Sequence, residues 1–114
     1  MNLSDLLPLQ EPTFFILLSL APGEKHGYAI LKDVETLSGG KLRMGTGTLY
    51  GALSRLLDQG LIEPAQSTRG GPGKPRKAYA LTDLGRAVLA AETSRLETLL
   101  SAARLRMAPG EETG

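Results

Sequence analysis

The sequence predicts a mainly α-helical fold with one small β-hairpin and a long C-terminal helix. Apolar residues recur at helical spacing in four segments, which glycine and proline residues separate from one another. Two short stretches of extended character flank a spacer rich in turn-forming residues, as in a hairpin with a long tip. With 114 residues, of which 41% are hydrophobic and 22% are charged, the chain fits one domain with a single core.

Three helices are expected in the first half of the chain. Pro12 suits the first turn of a helix that continues through the apolar stretch 13–21 and ends at a Pro-Gly pair. This helix is apolar on nearly every side, which favours a place in the core or in a subunit interface. Amphipathic patterns predict a second helix over His26–Leu37 and a third over Thr46–Gln59. Gly60 then suits the left-handed position that ends a helix.

The hairpin and the last helix follow. The predicted strands are Leu61–Ser67 and Arg76–Leu81, and residues 68–75 form the predicted tip. Thr82 suits the N-cap of a helix over 83–107, because a threonine hydroxyl accepts a hydrogen bond from a backbone N–H of the first turn.

The composition excludes several function classes. The chain has no cysteine and a single histidine, so disulfides, thiolate metal sites and multi-histidine metal sites cannot form within it. No nucleophile or acid–base group accompanies His26, so we expect neither an enzyme nor a cofactor. The apolar run Phe14–Leu18 is far shorter than the roughly 20 residues of a membrane span, and the N-terminus lacks the features of a signal peptide. We therefore expect a cytoplasmic protein with no membrane partner.

Positive charge is concentrated in the middle third of the chain. Residues 1–40 carry two basic residues against five acidic ones (net −3), and residues 81–114 carry four against five (net −1). Residues 41–80 carry seven against two (net +5). A basic region of this kind is typical of a nucleic-acid contact surface, whereas a solvated basic loop is the simpler alternative.

The order of elements predicts a winged helix-turn-helix. Two short helices that are joined by a glycine-containing turn and followed by a basic hairpin form this motif, and the second helix of the pair enters the major groove. The helix from Thr46 would face base edges through Thr46, Thr48 and Ser54. The predicted contacts to the DNA backbone or to the minor groove are Lys41, Arg43, Arg55, Arg69, Lys74, Arg76 and Lys77.

Several of these residues also have a purely structural interpretation. Thr46 and Thr48 could cap the third helix, and capping does not exclude a DNA contact. Tyr50 falls close to the leucine stripe of the same helix, so its ring is expected to be packed. Arg55 could be a solvated surface arginine.

The chain resembles the PadR-type transcriptional regulators. The resemblance is carried by HGY at 26–28, GTLY at 47–50, GKPRK at 73–77 and YALTDLG at 79–85, in that order and at matching separations. It implies a homodimeric repressor that binds a palindromic operator in double-stranded DNA. The DNA contacts that the resemblance implies are Tyr28, Thr48, Tyr50, Lys74, Arg76 and Lys77. In this chain Gly45 and Thr46 occupy the places where the family usually has Ser or Asn and then Pro.

The last helix resembles that of the short PadR subfamily, in which a single C-terminal helix packs against helices of the partner. An apolar stripe on so small a protein also points to a dimer, since it would otherwise be exposed. The expected units are a winged-helix DNA-binding domain over 10–82, a dimerisation helix over 83–107 and a disordered tail over 108–114. The residues expected at the dimer interface are Phe14, Phe15, Leu18, Leu89, Leu96, Leu99, Leu100, Ala103 and Met107.

The leading hypothesis is therefore a ligand-responsive homodimeric repressor. Some short PadR proteins bind flat aromatic drugs between aromatic side chains at the dimer interface, so a small hydrophobic or aromatic effector is an expected partner. The sequence assigns no residue to the effector. A protein-interaction module that keeps the winged-helix scaffold without DNA binding is the alternative hypothesis.

Overall fold

The computed structural model describes residues 2–66 and 77–109. The helices are α1 (Glu11–Leu20), α2 (Gly27–Leu37), α3 (Thr46–Asp58) and α4 (Asp83–Met107), and a 3-10 turn over Leu3–Leu6 precedes them. The strands are β1 (Lys25–His26), β2 (Ile62–Gln66) and β3 (Lys77–Leu81). The predicted mainly helical fold with a small β-structure and a long C-terminal helix is thus confirmed. The predicted hairpin tip, and the predicted tail from residue 110 onward, lie outside the described residues.

Within the described residues the sheet has three strands rather than the two that were predicted. The strands are antiparallel in the order β1-β3-β2, and Tyr79 of β3 lies between Lys25 and Pro64. Pro64 is tolerated because β2 is an edge strand, where a missing N–H breaks no ladder on the open side. A two-residue strand is too short to have an alternating pattern, so β1 could not be predicted from the sequence.

The core is formed by all the long elements together. α1 supplies fully buried side chains on several sides, as its apolar sequence predicts, and α2 and α3 each supply one face. Burial of a leucine or isoleucine contributes about 1.5–3 kcal/mol, so the core is the main source of stability. The core residues of the three helices include Ile16, Leu17, Leu20, Ile30, Val34, Leu49, Leu53 and Leu56.

The junctions around the hairpin have the predicted local chemistry. Gly60 follows α3 with a φ of 75°, the left-handed conformation that glycine adopts without strain. The Thr82 hydroxyl accepts a hydrogen bond from the Gly85 N–H (3.0 Å) and donates one to the Gly60 carbonyl (2.6 Å). One side chain therefore caps α4 and ties its start to the end of α3.

α4 falls into two parts with different surroundings. Val88, Leu89 and Glu92 in its first part are buried against the core, whereas the residues from Leu96 onward are exposed. Leu89 was predicted at the dimer interface, but it lies in the core of its own chain. The core also continues past the predicted boundary at residue 83. A continuous apolar stripe in the sequence does not show at which residue packing against the same chain ends. No helix among the described residues is long and apolar enough to span a membrane.

Glu92 is a buried carboxylate that the sequence did not reveal. Only 2% of the residue is exposed. Arg95 donates to both of its oxygens, from Nε to Oε1 (2.6 Å) and from Nη2 to Oε2 (2.8 Å), and the Leu9 N–H donates to Oε2 (3.1 Å). The carboxylate thus attaches the N-terminal segment to α4. The Arg95 guanidinium lowers the pKa of Glu92 against the opposing effect of burial, and the Leu9 N–H lowers it further.

We expect Glu92→Gln to lower the free energy of unfolding at neutral pH by about 2 kcal/mol, since charged hydrogen bonds of this kind are lost. Because the folded-state pKa of Glu92 lies below that of the unfolded chain, its contribution is fully present above about pH 5 and is lost as the pH falls. Thermal melts between neutral and acidic pH should therefore show a shallower decline for the variant. The same change at exposed Glu97 is the control. Parallel pH profiles for Glu92→Gln and the native chain would contradict this role.

Candidate DNA interface

α3 presents a smooth outward face. Leu49, Leu53 and Leu56 fix the helix on the core, and at about 100° per residue the opposite face carries Gly47 and Ser54, both exposed. Gly51 lies on this face as well, and Asp58 lies at its C-terminal end. The small side chains along most of this face allow close approach of a large partner.

The N-cap of α3 is neither of the two threonines that could have capped it. Gly45 is the N-cap residue and has no side chain to cap the helix. Thr46 and Thr48 follow inside the first turn, and both are exposed. Their hydroxyls therefore lie at the end of the helix that a winged-helix protein directs at base edges, and the capping role considered for them is not observed.

Three predicted DNA contacts converge on one open cleft. Tyr28 at the start of α2, Tyr50 on α3 and Lys77 at the start of β3 line it together with His26 and Gly27. The exposed fractions are 63% for Tyr28 and 45% for Tyr50. The two exposed rings offer apolar contact area to a partner, and the lysine beside them suits a phosphate.

Tyr50 is only partly packed, contrary to the expectation for its ring. Its hydroxyl lies against Gly27, where no side chain intervenes. Burial of Tyr79 on β3 raises the pKa of its hydroxyl, and the electrostatic effect of Tyr50 raises it further. The remaining surface of the Tyr50 ring faces solvent.

Lys32 is a basic residue that the sequence analysis missed. Its Nζ lies 5.9 Å from the centroid of the Tyr28 ring, within range of a cation–π contact. The spacing of four residues from Tyr28 along α2 is the signal that could have identified it. Lys32 adds a second positive charge on the Tyr28 side of the interface.

The loop between α2 and α3 carries Lys41 and Arg43. Gly39 and Gly40 adopt φ values of 67° and 82°, which turn the chain toward α3. Lys41 is exposed, and the Arg43 Nε lies 3.4 Å from Glu35 Oε2 in an exposed ion pair. An exposed pair contributes little to stability, so Arg43 can exchange this carboxylate for a phosphate at small cost.

Arg55 lies on the other side of α3 from Tyr50, since five helical residues place the two about 140° apart. It lines a cavity of about 250 Å³ between α3 and the N-terminal segment, together with Pro8 and Gln59. The structure therefore brings Tyr28, Tyr50 and Lys77 together. Arg55 lies apart from them, on the opposite border of the exposed face of α3 that carries Gly47 and Ser54. The predicted contacts Arg69, Lys74 and Arg76 lie outside the described residues.

A helical core with an exposed third helix and an adjoining antiparallel sheet defines a winged helix-turn-helix protein. The family model of the PadR-like transcriptional regulators matches residues 16–91. The chain belongs to this family, which identifies it as a transcriptional regulator rather than an enzyme.

Solved structures of PadR proteins have the same fold. A PadR family transcription regulator from Clostridium difficile R20291 has a TM-score of 0.71 at 23% identity, covering 87% of this chain and 100% of that one. Bacillus subtilis PadR in complex with operator DNA has a TM-score of 0.61 at 28% identity, covering 72% of this chain and 46% of that one.

A relative with a similar sequence comes from a transposon. An uncharacterized 37.1 kDa protein of transposon TN4556 from Streptomyces fradiae is 39% identical over 84 residues, which is 74% of this chain. The chain spans only 22% of the length of that relative.

Proposed function

We propose that this chain is a sequence-specific DNA-binding regulator that acts as a homodimeric repressor on a palindromic operator. The convergence of Tyr28, Tyr50 and Lys77 beside the exposed face of α3 carries the proposal. α3 has 13 residues and is therefore about 20 Å long, a size that fits the major groove of B-DNA. Further support comes from Bacillus subtilis PadR, which was crystallised with operator DNA.

Within this proposal the residues divide by role. Thr46, Thr48 and Ser54 on α3 face base edges, where hydroxyl groups donate and accept hydrogen bonds. Lys77 and Arg55 lie on the two sides of this surface and contact backbone phosphates. The basic contacts predicted at Lys41, Arg43, Arg69, Lys74 and Arg76 extend the same electrostatic attraction along the duplex.

Lys77→Ala is expected to weaken operator binding uniformly across sequences. It should also reduce the slope of log affinity against log salt by about one unit, since one phosphate contact releases about one counterion. Fluorescence anisotropy with a labelled operator at several salt concentrations measures both. Lys77→Arg, which keeps the positive charge at the same position, is the matched control and should leave the slope unchanged. An unchanged slope for Lys77→Ala would remove Lys77 from the interface.

We also propose that a small hydrophobic or aromatic effector controls operator binding. The rings of Phe14 and Phe15 on α1 meet edge to face with centroids 5.7 Å apart, and both side chains are only partly buried. They supply an aromatic surface at the predicted dimer interface for a flat ligand. Release of labelled operator on titration with flat aromatic compounds tests this role, and loss of the response in Phe15→Ala would support it.

The alternative is a protein-interaction module without DNA binding. Selection of bound fragments from genomic DNA discriminates between the two. Enriched fragments that share an inverted repeat support the regulator. Recovery of fragments without any common sequence, with affinity that ignores salt, would contradict it.

A further inference from the structure

Gly27 occupies a crowded position at the start of α2. It is buried, and a Cβ built on it would overlap the hydroxyl of Tyr50 and come within 2.8 Å of the Tyr50 Cζ. The far end of a tyrosine side chain is flexible, whereas the start of α2 is held by the core. A side chain at residue 27 would therefore displace the Tyr50 ring rather than the helix.

The Tyr50 ring has one tightly packed point of contact. Gly27 lies against its hydroxyl, and this contact limits where the ring can lie. Tyr28 lines the same open cleft as Tyr50. Because Gly27 directly precedes Tyr28 in the chain, its contact with the Tyr50 hydroxyl links the positions of two tyrosines that lie on different helices.

We infer that Gly27 is a positioning residue for Tyr50, and that its missing side chain holds Tyr28 and Tyr50 as a preformed pair for the DNA. The inference rests on the proposed function only in naming DNA as the ligand. The contact between Gly27 and Tyr50 is a feature of the free protein. A ring that is already held in place loses less conformational entropy on binding. If the ring is mobile in the free protein, its immobilisation lowers the affinity roughly three- to tenfold. Gly27 contributes this factor although it presents no side chain to the DNA.

The contact is tested first in the free protein. Nuclear Overhauser effects between the Gly27 α-protons and the Tyr50 ring protons are expected in the native chain. Gly27→Ala should shift the Tyr50 ring resonances. The chain has three tyrosines and no tryptophan, so these signals are readily assigned. Gly23→Ala is the matched control, because a Cβ at Gly23 meets no atom within 4 Å. Absence of the Overhauser effects, or unchanged Tyr50 resonances in Gly27→Ala, overturns the inference.

A double-mutant cycle then tests the effect on binding. Gly27→Ala is expected to lower operator affinity about three- to tenfold, with little change in melting temperature. In a Tyr50→Ala background the same change should cause no further loss, because the displaced ring is absent. If Gly27→Ala lowered operator affinity by the same factor in the Tyr50→Ala background, Gly27 would have a general packing role instead. A large fall in the melting temperature of the single variant Gly27→Ala would lead to the same conclusion. Failure of the native chain to bind any DNA would refute the proposed function, while the spectroscopic result would still decide the contact.

Discussion

Leu100→Glu is expected to convert the protein to a monomer and to lower operator affinity by at least about 100-fold. Leu100 is 50% exposed and lies about 20° around α4 from Leu89, whose side chain is buried in the core. Burial of a carboxylate in an apolar interface costs several kcal/mol unless it is paired. A monomer also reaches only one half-site, so it loses the gain from binding both halves of a palindrome as one unit.

The matched control is Leu105→Glu on the same helix. Leu105 is 83% exposed and lies about 140° around the helix from Leu100, so the same charge there faces solvent. Light scattering reports the mass in solution, and anisotropy with labelled operator reports binding. Intact dimers of Leu100→Glu would contradict the proposed interface. Loss of the dimer in both variants would show that the interface surrounds α4 instead of lying on one face.

Local chemistry explains which parts of the fold could be predicted. The four helices carry their apolar periodicity in consecutive residues, so their bounds were predicted to within about two residues. Gly60 and Thr82 were assigned correctly because a left-handed C-cap and an N-cap each depend on one residue type at one position. No distant contact is needed to interpret either of them.

Features that depend on distant contacts could not be predicted. Glu92 joins Leu9 across 83 residues, and its sequence neighbours do not distinguish it from the solvated Glu97. β1 exists only because Lys25 and His26 meet β3. The assignment of Leu89 failed for a related reason, since the pattern shows an apolar face without showing what covers it.

The candidate site was predicted through motifs rather than through periodicity. Tyr28, Tyr50 and Lys77 come from three separate elements, and only the resemblance to PadR proteins linked them before the structure did. The helical pattern instead placed the Tyr50 ring in the packed stripe, because it could not reveal the space that Gly27 leaves for the hydroxyl. The geometry of this interface thus depends on a glycine as much as on the tyrosines.

Gly85→Ala is expected to destabilise the fold by about 3 kcal/mol, which lowers the melting temperature by roughly 10–20 °C. A Cβ at Gly85 would overlap the backbone oxygen of Leu61 and lie 3.2 Å from Leu81 Cδ2. Neither can yield easily: Leu61 is buried, and its carbonyl also accepts the Thr82 N–H at 3.1 Å.

The control for Gly85→Ala has the opposite expected sign. Gly51→Ala adds the same methyl group to the interior of α3, where its nearest neighbour is Arg55 Nη1 at 3.9 Å. An exposed helical glycine is less favourable than alanine by about 0.5–1 kcal/mol, so this variant should melt at a higher temperature. Calorimetry compares the two variants with the native chain. If Gly85→Ala melts within a few degrees of the native protein, α4 can move away from Leu61, and the close junction between α4 and the hairpin is not what fixes this helix on the core.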